Sequence, residues 1–251
     1  MNSILITGAS AGFGLATANL FLDRGWRVIA GMRTPRSDVL PASDRLEVVA
    51  LDVTDPLAIE AAVKQAGSID VLVNNAGIGW MNAVEGTSSE TARALFETNT
   101  YGPMALMQAV LPQMRERRSG VIINVSSSVT LKPLPLLSAY TASKAALNAL
   151  TEVSALELAP FDIRVRIVLP GRAPTTSFGD TARARMQEQG GFPEPYLPVV
   201  KAVMDAWANE SEAEVTQAID VAEAVWQAAT DPASPLRIPA GADAVALALA
   251  G

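Results

Sequence analysis

Six short runs of β-branched and aliphatic residues recur along the chain, and their spacing constrains the fold more than any other feature. They are SILIT (3–7), RVIAGM (27–32), LEVVALDV (46–53), IDVLVNN (69–75), GVIINVSS (120–127) and IRVRIVLP (163–170). Each is almost continuously apolar, as a strand is when both faces of its sheet are covered, and that points to parallel pairing. Helical patterns lie between them. GFGLATANLFLDRG closes on Gly25, PLAIEAAVKQAG opens on Pro56 and closes on Gly67, one long stretch covers 89–116, and another covers 138–159 before Pro160. Proline early and glycine late is the expected punctuation of helices. Strands alternating with helices predict the α/β class, with a doubly wound, mostly parallel, Rossmann-like sheet.

Residues 171–200 interrupt this rhythm. GRAPTTSFGD and GGFPEPYLP are rich in glycine and proline and read as a long irregular insertion, a feature that is usually functional or disordered. A helical stretch PVVKAVMDAWANE follows, then a helix DVAEAVWQAAT and a last strand LRIPAG. No internal repeat or low-complexity linker appears, so residues 1–251 are expected to form one domain, with 172–210 as a lid over a substrate. Phe178, Met186, Phe192, Tyr196, Leu197, Met204 and Trp207 suit a lid that closes on an apolar ligand. An equal alternative makes Val200, Val203, Met204 and Trp207 the core stripe of one helix.

Composition removes whole classes of chemistry. The chain has no cysteine, hence no disulfide framework, thiol nucleophile or iron–sulfur site. It has no histidine, hence no Ser-His triad, no imidazole acid or base and no histidine-bound metal. No acidic loop has EF-hand spacing, and no metal is expected. A net charge of −7 argues against nucleic acid or an anionic membrane as partner. The one dense basic cluster, RERR at 115–118, reads as a solvated helix end. MNSILITGAS lacks the form of a signal peptide, no apolar run would span a bilayer, and GADAVALALAG reads as a packed terminal segment, so a cytoplasmic protein is expected. Proton transfer near neutral pH then falls to a carboxylate or to a perturbed tyrosine or lysine.

In open α/β sheets, ligands bind beyond the carboxyl ends of the strands. The first strand runs into TGASAGFG, where Gly8, Gly12 and Gly14 allow a tight turn and bring backbone N–H groups to a pyrophosphate at a helix N-terminus. The second ends in GMRTPR. A carboxylate there would hold the ribose hydroxyls of NAD, but the chain offers Met32 and Arg33, and a guanidinium suits a 2′-phosphate. NADP(H) is therefore favoured over NAD(H); Asp38, past Pro35, is too far along to serve as the ribose acid. Asp52 ends the third strand, positioned for an adenine amine, and NNAG (74–77), NVSSS (124–128) and PGRAPTT (170–176) end the next three. Each alone is ordinary turn chemistry; together at one edge they are not.

Within SAYTASKAAL (138–147), Tyr140 and Lys144 are one helical turn apart and share a face. A free phenol has a pKa of about 10. A cation roughly 5 Å away, at an effective dielectric near 20, is worth about 3 kcal/mol and lowers it by about two units. The pair is thus expected to give a usable acid or base without histidine.

Taken together, TGASAGFG, NNAG, NTYG (99–102), NVSS, YTASK and PGRAPT resemble the short-chain dehydrogenase/reductase family in its compact single-domain branch. The resemblance covers about the first 175 residues. It implies four catalytic residues. Tyr140 would exchange the proton with the carbonyl or alcohol oxygen, and Ser127, thirteen residues ahead of it, would bond that oxygen. Lys144 would also hold the nicotinamide ribose, and Asn99 would anchor a water in a proton relay. It further implies a nicotinamide cofactor held by Gly8, Ser10, Gly12, Phe13, Gly14, Arg33, Asp52, Val53, Asn75, Ala76, Gly77, Tyr140, Lys144, Pro170, Gly171 and Thr175, the last orienting the carboxamide.

The expected partners are a small apolar ketone, aldehyde or secondary alcohol, and further copies of the chain in a homodimer or homotetramer built through the helices at 89–116 and 138–159. The ending RIPAGADAVALALAG lacks the Gly-Gly that many members show. Arg172, Arg183 and Arg185 either meet an acidic group or face water; Tyr101 is expected to pack, and Tyr196 to touch substrate. The competing readings are an NADP(H)-binding sensor or scaffold without turnover, an NAD(H)-dependent enzyme of the same fold, and a sugar-nucleotide epimerase or dehydratase. The filled catalytic positions disfavour the sensor, and the glycine spacing and lack of a larger substrate domain disfavour the epimerase.

Overall fold

A computed structural model describes residues 2–36, 38–208 and 215–250. Seven strands form one parallel sheet: β1 (Ser3–Thr7), β2 (Arg27–Met32), β3 (Leu46–Ala50), β4 (Val71–Asn74), β5 (Gly120–Val125), β6 (Ile163–Pro170) and β7 (Arg237–Ala240), in the order β3-β2-β1-β4-β5-β6-β7. The order reverses between β1 and β4, which opens a crevice at their carboxyl ends. Alternation along β1 shows why its sequence is apolar throughout. Ile4 and Ile6 enter the layer that holds Phe21, Val221 and Val225, while Leu5 enters the opposite layer with Leu106, Val110 and Ile122.

The first layer is made by α1 (Gly12–Asp23) and α8 (Ala218–Thr230), and the second by α2 (Pro56–Ala66), α4 (Gly102–Glu116) and α5 (Ser138–Leu158). Asp55 caps α2 by accepting from Leu57 N, with Pro56 at the first position, as the sequence pattern requires. Buried polar groups fasten α5 to the sheet: Asn74 Nδ2 donates to Asn124 Oδ1, and Asn124 Nδ2 donates to Thr151 Oγ1, both at 2.8 Å. No helix among the described residues is long and apolar enough to cross a membrane.

The structure differs from the sequence pattern in several places. The helical stretch at 89–116 is two helices, α3 (Ser89–Phe96) and α4, joined through a π-helical turn, Glu97–Tyr101. Tyr101 ends that turn 49 % exposed rather than packed. The insertion is not irregular throughout, because TARARMQE extends a helix, α6 (Ser177–Glu188), that absorbs Gly179 in its first turn. Finally, α7 (Leu197–Ala208) fully buries none of its residues, and Val200, Val203, Met204 and Trp207 form its half-buried face rather than a stripe within the core; residues 209 and 210 of the expected lid lie outside the described residues. The RERR cluster also does more than face water, since Arg117 donates to the Ile69 carbonyl and Arg118 to Asp162 and Pro160 O.

The tightest side-chain cluster of the first layer is aromatic. Phe21 is fully buried, with ring centroids 5.1 Å from both Trp26 and Trp226, and the Arg24 guanidinium stacks 4.4 Å above Trp226. Phe21→Ala is expected to cost about 3–5 kcal/mol, read from the midpoint of urea unfolding.

Candidate active site

The turn after β1 is built by one hydroxyl. Thr7 Oγ1 accepts from Asn75 N (3.0 Å) and Ala76 N (2.9 Å) and donates to Val73 O (3.3 Å), while Asn75 Nδ2 donates to Thr7 O (2.9 Å). The ends of β1 and β4 are thereby held together under the crevice. Gly8 follows with φ +68, and Ala76 stands 3.0 Å from where its Cβ would be. Gly14 is needed for a different reason: a Cβ there would lie 2.3 Å from Gly8 O and 2.5 Å from Asn75 Nδ2. The start of α1 has no side-chain cap and no acid in its first turn, so its N–H groups are available to an anion.

A cleft of about 2080 Å³ opens along the carboxyl edge of the sheet. Gly8, Ser10, Gly12, Phe13, Arg33, Asp52, Val53, Asn75, Ala76, Gly77, Ser127, Tyr140, Lys144, Pro170 and Gly171 all line it. Its volume is well above the roughly 300–1,000 Å³ of ordinary small-molecule sites, which leaves room for two ligands. Although the chain is acidic overall, the cleft gathers Arg33, Arg36, Lys132, Lys144, Arg172, Arg183 and Arg185 against Asp52, Glu97 and Asp243. Arg36 is paired with Asp38 at 2.9 Å, whereas no ion pair holds Arg33 among the described residues. The Asp52 carboxyl is held below the usual range chiefly by the Thr54 N–H, with the Thr54 hydroxyl and the Arg33 charge adding to it.

Three expected residues do not line the cleft. Gly14 acts by packing. Thr175 is exposed on its rim, and Thr176 stands in the wall instead, its methyl 3.7 Å from where a Gly12 Cβ would be. Asn99 is fully buried behind the wall: its Oδ1 accepts from Ile78 N (2.9 Å), and its Nδ2 donates to Ile78 O (2.9 Å) and Ser143 Oγ (3.1 Å). Thr100 Oγ1 adds a bond to Ser143 O at 2.9 Å. The π-helical turn thus aims two consecutive side chains at α5, directly beside Tyr140 and Lys144, and fixes the Gly77–Ile78 segment.

Ser127 hydrogen-bonds the Tyr140 phenol, and Tyr140 is buried with Trp80, Leu95 and Met186 in a third apolar cluster apart from both sheet faces. Here the expected electrostatics fail. Burial pushes the phenol up to about 12, outweighing the Ser127 bond, which acts the other way. Burial likewise pushes the Lys144 ammonium down to about 8. Lys144 Nζ donates to Val125 O at 2.9 Å and makes no hydrogen bond to the phenol. Desolvation of both groups therefore exceeds their helical-turn proximity.

The sequence reading also missed the back wall. Ala242, Asp243, Ala246 and Leu247 of α9 (Ala242–Ala250) line the cleft. Asp243 Oδ2 accepts from Arg172 N at 2.6 Å, and Thr216 Oγ1 accepts from Gly171 N (2.9 Å) and donates to Asp243 Oδ1 (2.6 Å). Met204 and Trp207 of α7 stand in the same wall. No local motif marks Thr216 or Asp243, because their partners are distant in sequence. Tyr196 lies outside the cleft lining, its phenol bonded to Glu85, which raises its pKa.

A family model described as short chain dehydrogenase matches residues 2–186. The chain belongs to the short-chain dehydrogenase/reductase family. Members are oxidoreductases that act on small molecules. This member is 38 % identical over 197 residues to a 3-ketodihydrosphingosine reductase of Bacteroides thetaiotaomicron, covering 77 % of this chain and 71 % of that one. Among solved structures, a short-chain dehydrogenase from Streptomyces avermitilis aligns at a TM-score of 0.83 and 36 % identity over 100 % of this chain and 92 % of the other. A short-chain dehydrogenase from Burkholderia cenocepacia in complex with NADP aligns at 0.78 and 28 %, covering 99 % and 91 %.

The buried lysine gives this family member a pH signature. Between about 8 in the folded state and 10.5 in the unfolded state, the unfolded chain binds the extra proton, so stability rises with pH through that window. Tyr140 works the opposite way, since from 10.0 to about 12 the folded state keeps the proton and stability falls. Relative to Lys144→Met, the wild-type protein is expected to gain stability between about pH 8 and pH 10, measured by urea unfolding at each pH.

Proposed function

We propose that the protein is an NADP(H)-dependent carbonyl reductase, working in reverse as a secondary-alcohol dehydrogenase, on apolar ketones or aldehydes. The observation that carries this reading is a buried phenol, bonded to a serine and enclosed by apolar side chains, at the wall of a cleft that is otherwise cationic. The residues fit a phosphorylated dinucleotide. N–H groups without a side-chain cap at the start of α1 suit the pyrophosphate, and Arg33, lining the cleft just past the end of β2, suits a 2′-phosphate. When bound, the nicotinamide supplies or accepts the hydride.

The chain's own groups handle the proton. In reduction, Tyr140 donates its phenolic proton to the carbonyl oxygen as the alcohol forms, and Ser127 donates a hydrogen bond to the same oxygen as charge develops. The phenolate then regains a proton from solvent. Asn99 acts as a positioning residue through Ile78 and Ser143, and Lys144 is assigned to the ribose hydroxyls. With its phenol pushed up to about 12, Tyr140 stays protonated at neutral pH, which suits the reductive direction.

Trp80, Met186 and Phe192 around the phenol support an apolar substrate. The Bacteroides relative, named for reducing a 3-keto compound, supports a ketone, and the NADP complex of the Burkholderia protein supports the cofactor. We further propose a cytoplasmic homo-oligomer joined through α4 and α5, whose outward residues Met104, Val153 and Leu156 are exposed and apolar.

The test is consumption of NADPH and NADH, followed separately against apolar ketones, aldehydes and their alcohols. Tyr140→Phe is expected to lose orders of magnitude in kcat while NADPH binding, read by fluorescence titration, holds; retained turnover would remove Tyr140 from the mechanism. Reduction should be flat with pH around neutrality and alcohol oxidation should climb toward alkaline pH. Arg33→Ala should weaken NADPH about 10–100-fold, from loss of a charge-assisted contact, and leave NADH affinity nearly unchanged.

A further inference from the structure

Helix α6 turns one face to the cleft, and Phe178, Ala182 and Met186 recur on it one turn apart. Met186, at the far end, is buried with Trp80, Leu95 and Tyr140. Phe178, at the near end, stands with its ring centroid 6.0 Å from that of Tyr140, inclined at 55°. One ring edge abuts Gly79: a Cβ there would come within 2.8 Å of Phe178 Cε1 and 3.1 Å of the Ala182 methyl. Met186 and Phe178 both line the cleft, but Met186 is buried whereas Phe178 is 40 % exposed. It covers one flank of the phenol while presenting its other side to whatever enters.

The far end of the helix is tied down. Thr91 Oγ1 and Gln189 Oε1 are 2.5 Å apart in a hydrogen bond, and Asn82 Nδ2 donates to Gly191 O at 2.9 Å. The face bearing Phe178 is therefore held over the phenol. A carbonyl oxygen in hydrogen-bond contact with Tyr140, about 2.7 Å away, keeps its carbon and both substituents within a few ångströms of that ring.

We infer that Phe178 is the specificity-determining residue of this site: its ring is the wall on which one substituent of the carbonyl packs, and it limits that substituent's bulk. The inference rests on Tyr140 being the proton donor, since only then does a wall beside the phenol become a wall beside the carbonyl. It assigns a selection rule to one side chain of the lid. Ketones with one slim arm pass, and those with two bulky arms are excluded by contact with Phe178.

The experiment compares kcat/KM for a small methyl ketone and for diaryl and branched ketones, with NADPH, in the wild type, Phe178→Ala and Phe178→Leu. In Phe178→Ala the bulky-to-small ratio is expected to rise about tenfold or more, with the small ketone losing ground as the bulky ones gain. Phe178→Leu should restore the ratio part of the way, and NADPH affinity should stay constant in both. If both ketone classes fall together in Phe178→Ala at constant ratio, the ring merely supports the lid and the inference is wrong. Failure of the wild-type protein to reduce any ketone is a different result: it overturns the reductase reading, and the inference with it.

Discussion

Every strand of the sheet points the same way, and the site exists because of that constraint. Parallel neighbours cannot be joined by tight turns, so each connection must cross back over a face, and the faces must be covered. The carboxyl ends of all seven strands then lie along one edge. Residues as distant in sequence as Gly8, Arg33, Asn75, Ser127 and Gly171 come to line one cleft. The reversal of strand order beside β1 adds the crevice, and the Thr7 hydroxyl, shared by two N–H groups of the β4 loop, sets its floor.

On that edge the decisive balance is between desolvation and charge. The Tyr140 phenol and the Lys144 ammonium sit deep enough that desolvation controls both, raising one and lowering the other. Their surroundings explain the depth. Met186 and Phe192, from the insertion after β6, pack with Trp80 and Tyr140 in a small apolar cluster of their own. The polar atoms left beneath it are satisfied internally by the Asn99, Ile78 and Ser143 bonds. The cleft wall is thus held by polar bonds behind the phenol and is apolar around it.

The strands and most of the helices were legible because their patterns are local. SILIT reads as a doubly covered strand from its own five residues, and Asp55-Pro56 announces a helix start. The glycine turn, Ser127, Tyr140 and Lys144 were legible because they recur at fixed spacings beside recognisable elements. What escaped notice depended on distance. Thr216 and Asp243 hold Gly171 and Arg172 from far along the chain, and nothing in ADAVALALA signals a cleft wall. The sign of the Tyr140 shift escaped for the same reason, since pair spacing is visible in a sequence but burial by Met186 and Phe192 is not. Motif order does not say which of two adjacent threonines stands in the cleft wall; turn geometry does, placing Thr176 there and leaving Thr175 exposed beside it.

The π-helical turn at Glu97–Tyr101 has a consequence for how one segment of chain serves two interiors. Leu95 and Leu106 are separated by about three α-helical turns and in an unbroken helix would share a face. Instead Leu95 enters the cluster around Tyr140, and Leu106 enters the layer against the sheet. The wide turn is a phase shift. It lets α3 keep time with the cleft and α4 with the sheet, and it places Asn99 at the point where the two rhythms meet. Wound as plain α-helix over the same residues, the segment would put both leucines on one face, and either the cleft or the sheet would lose its own.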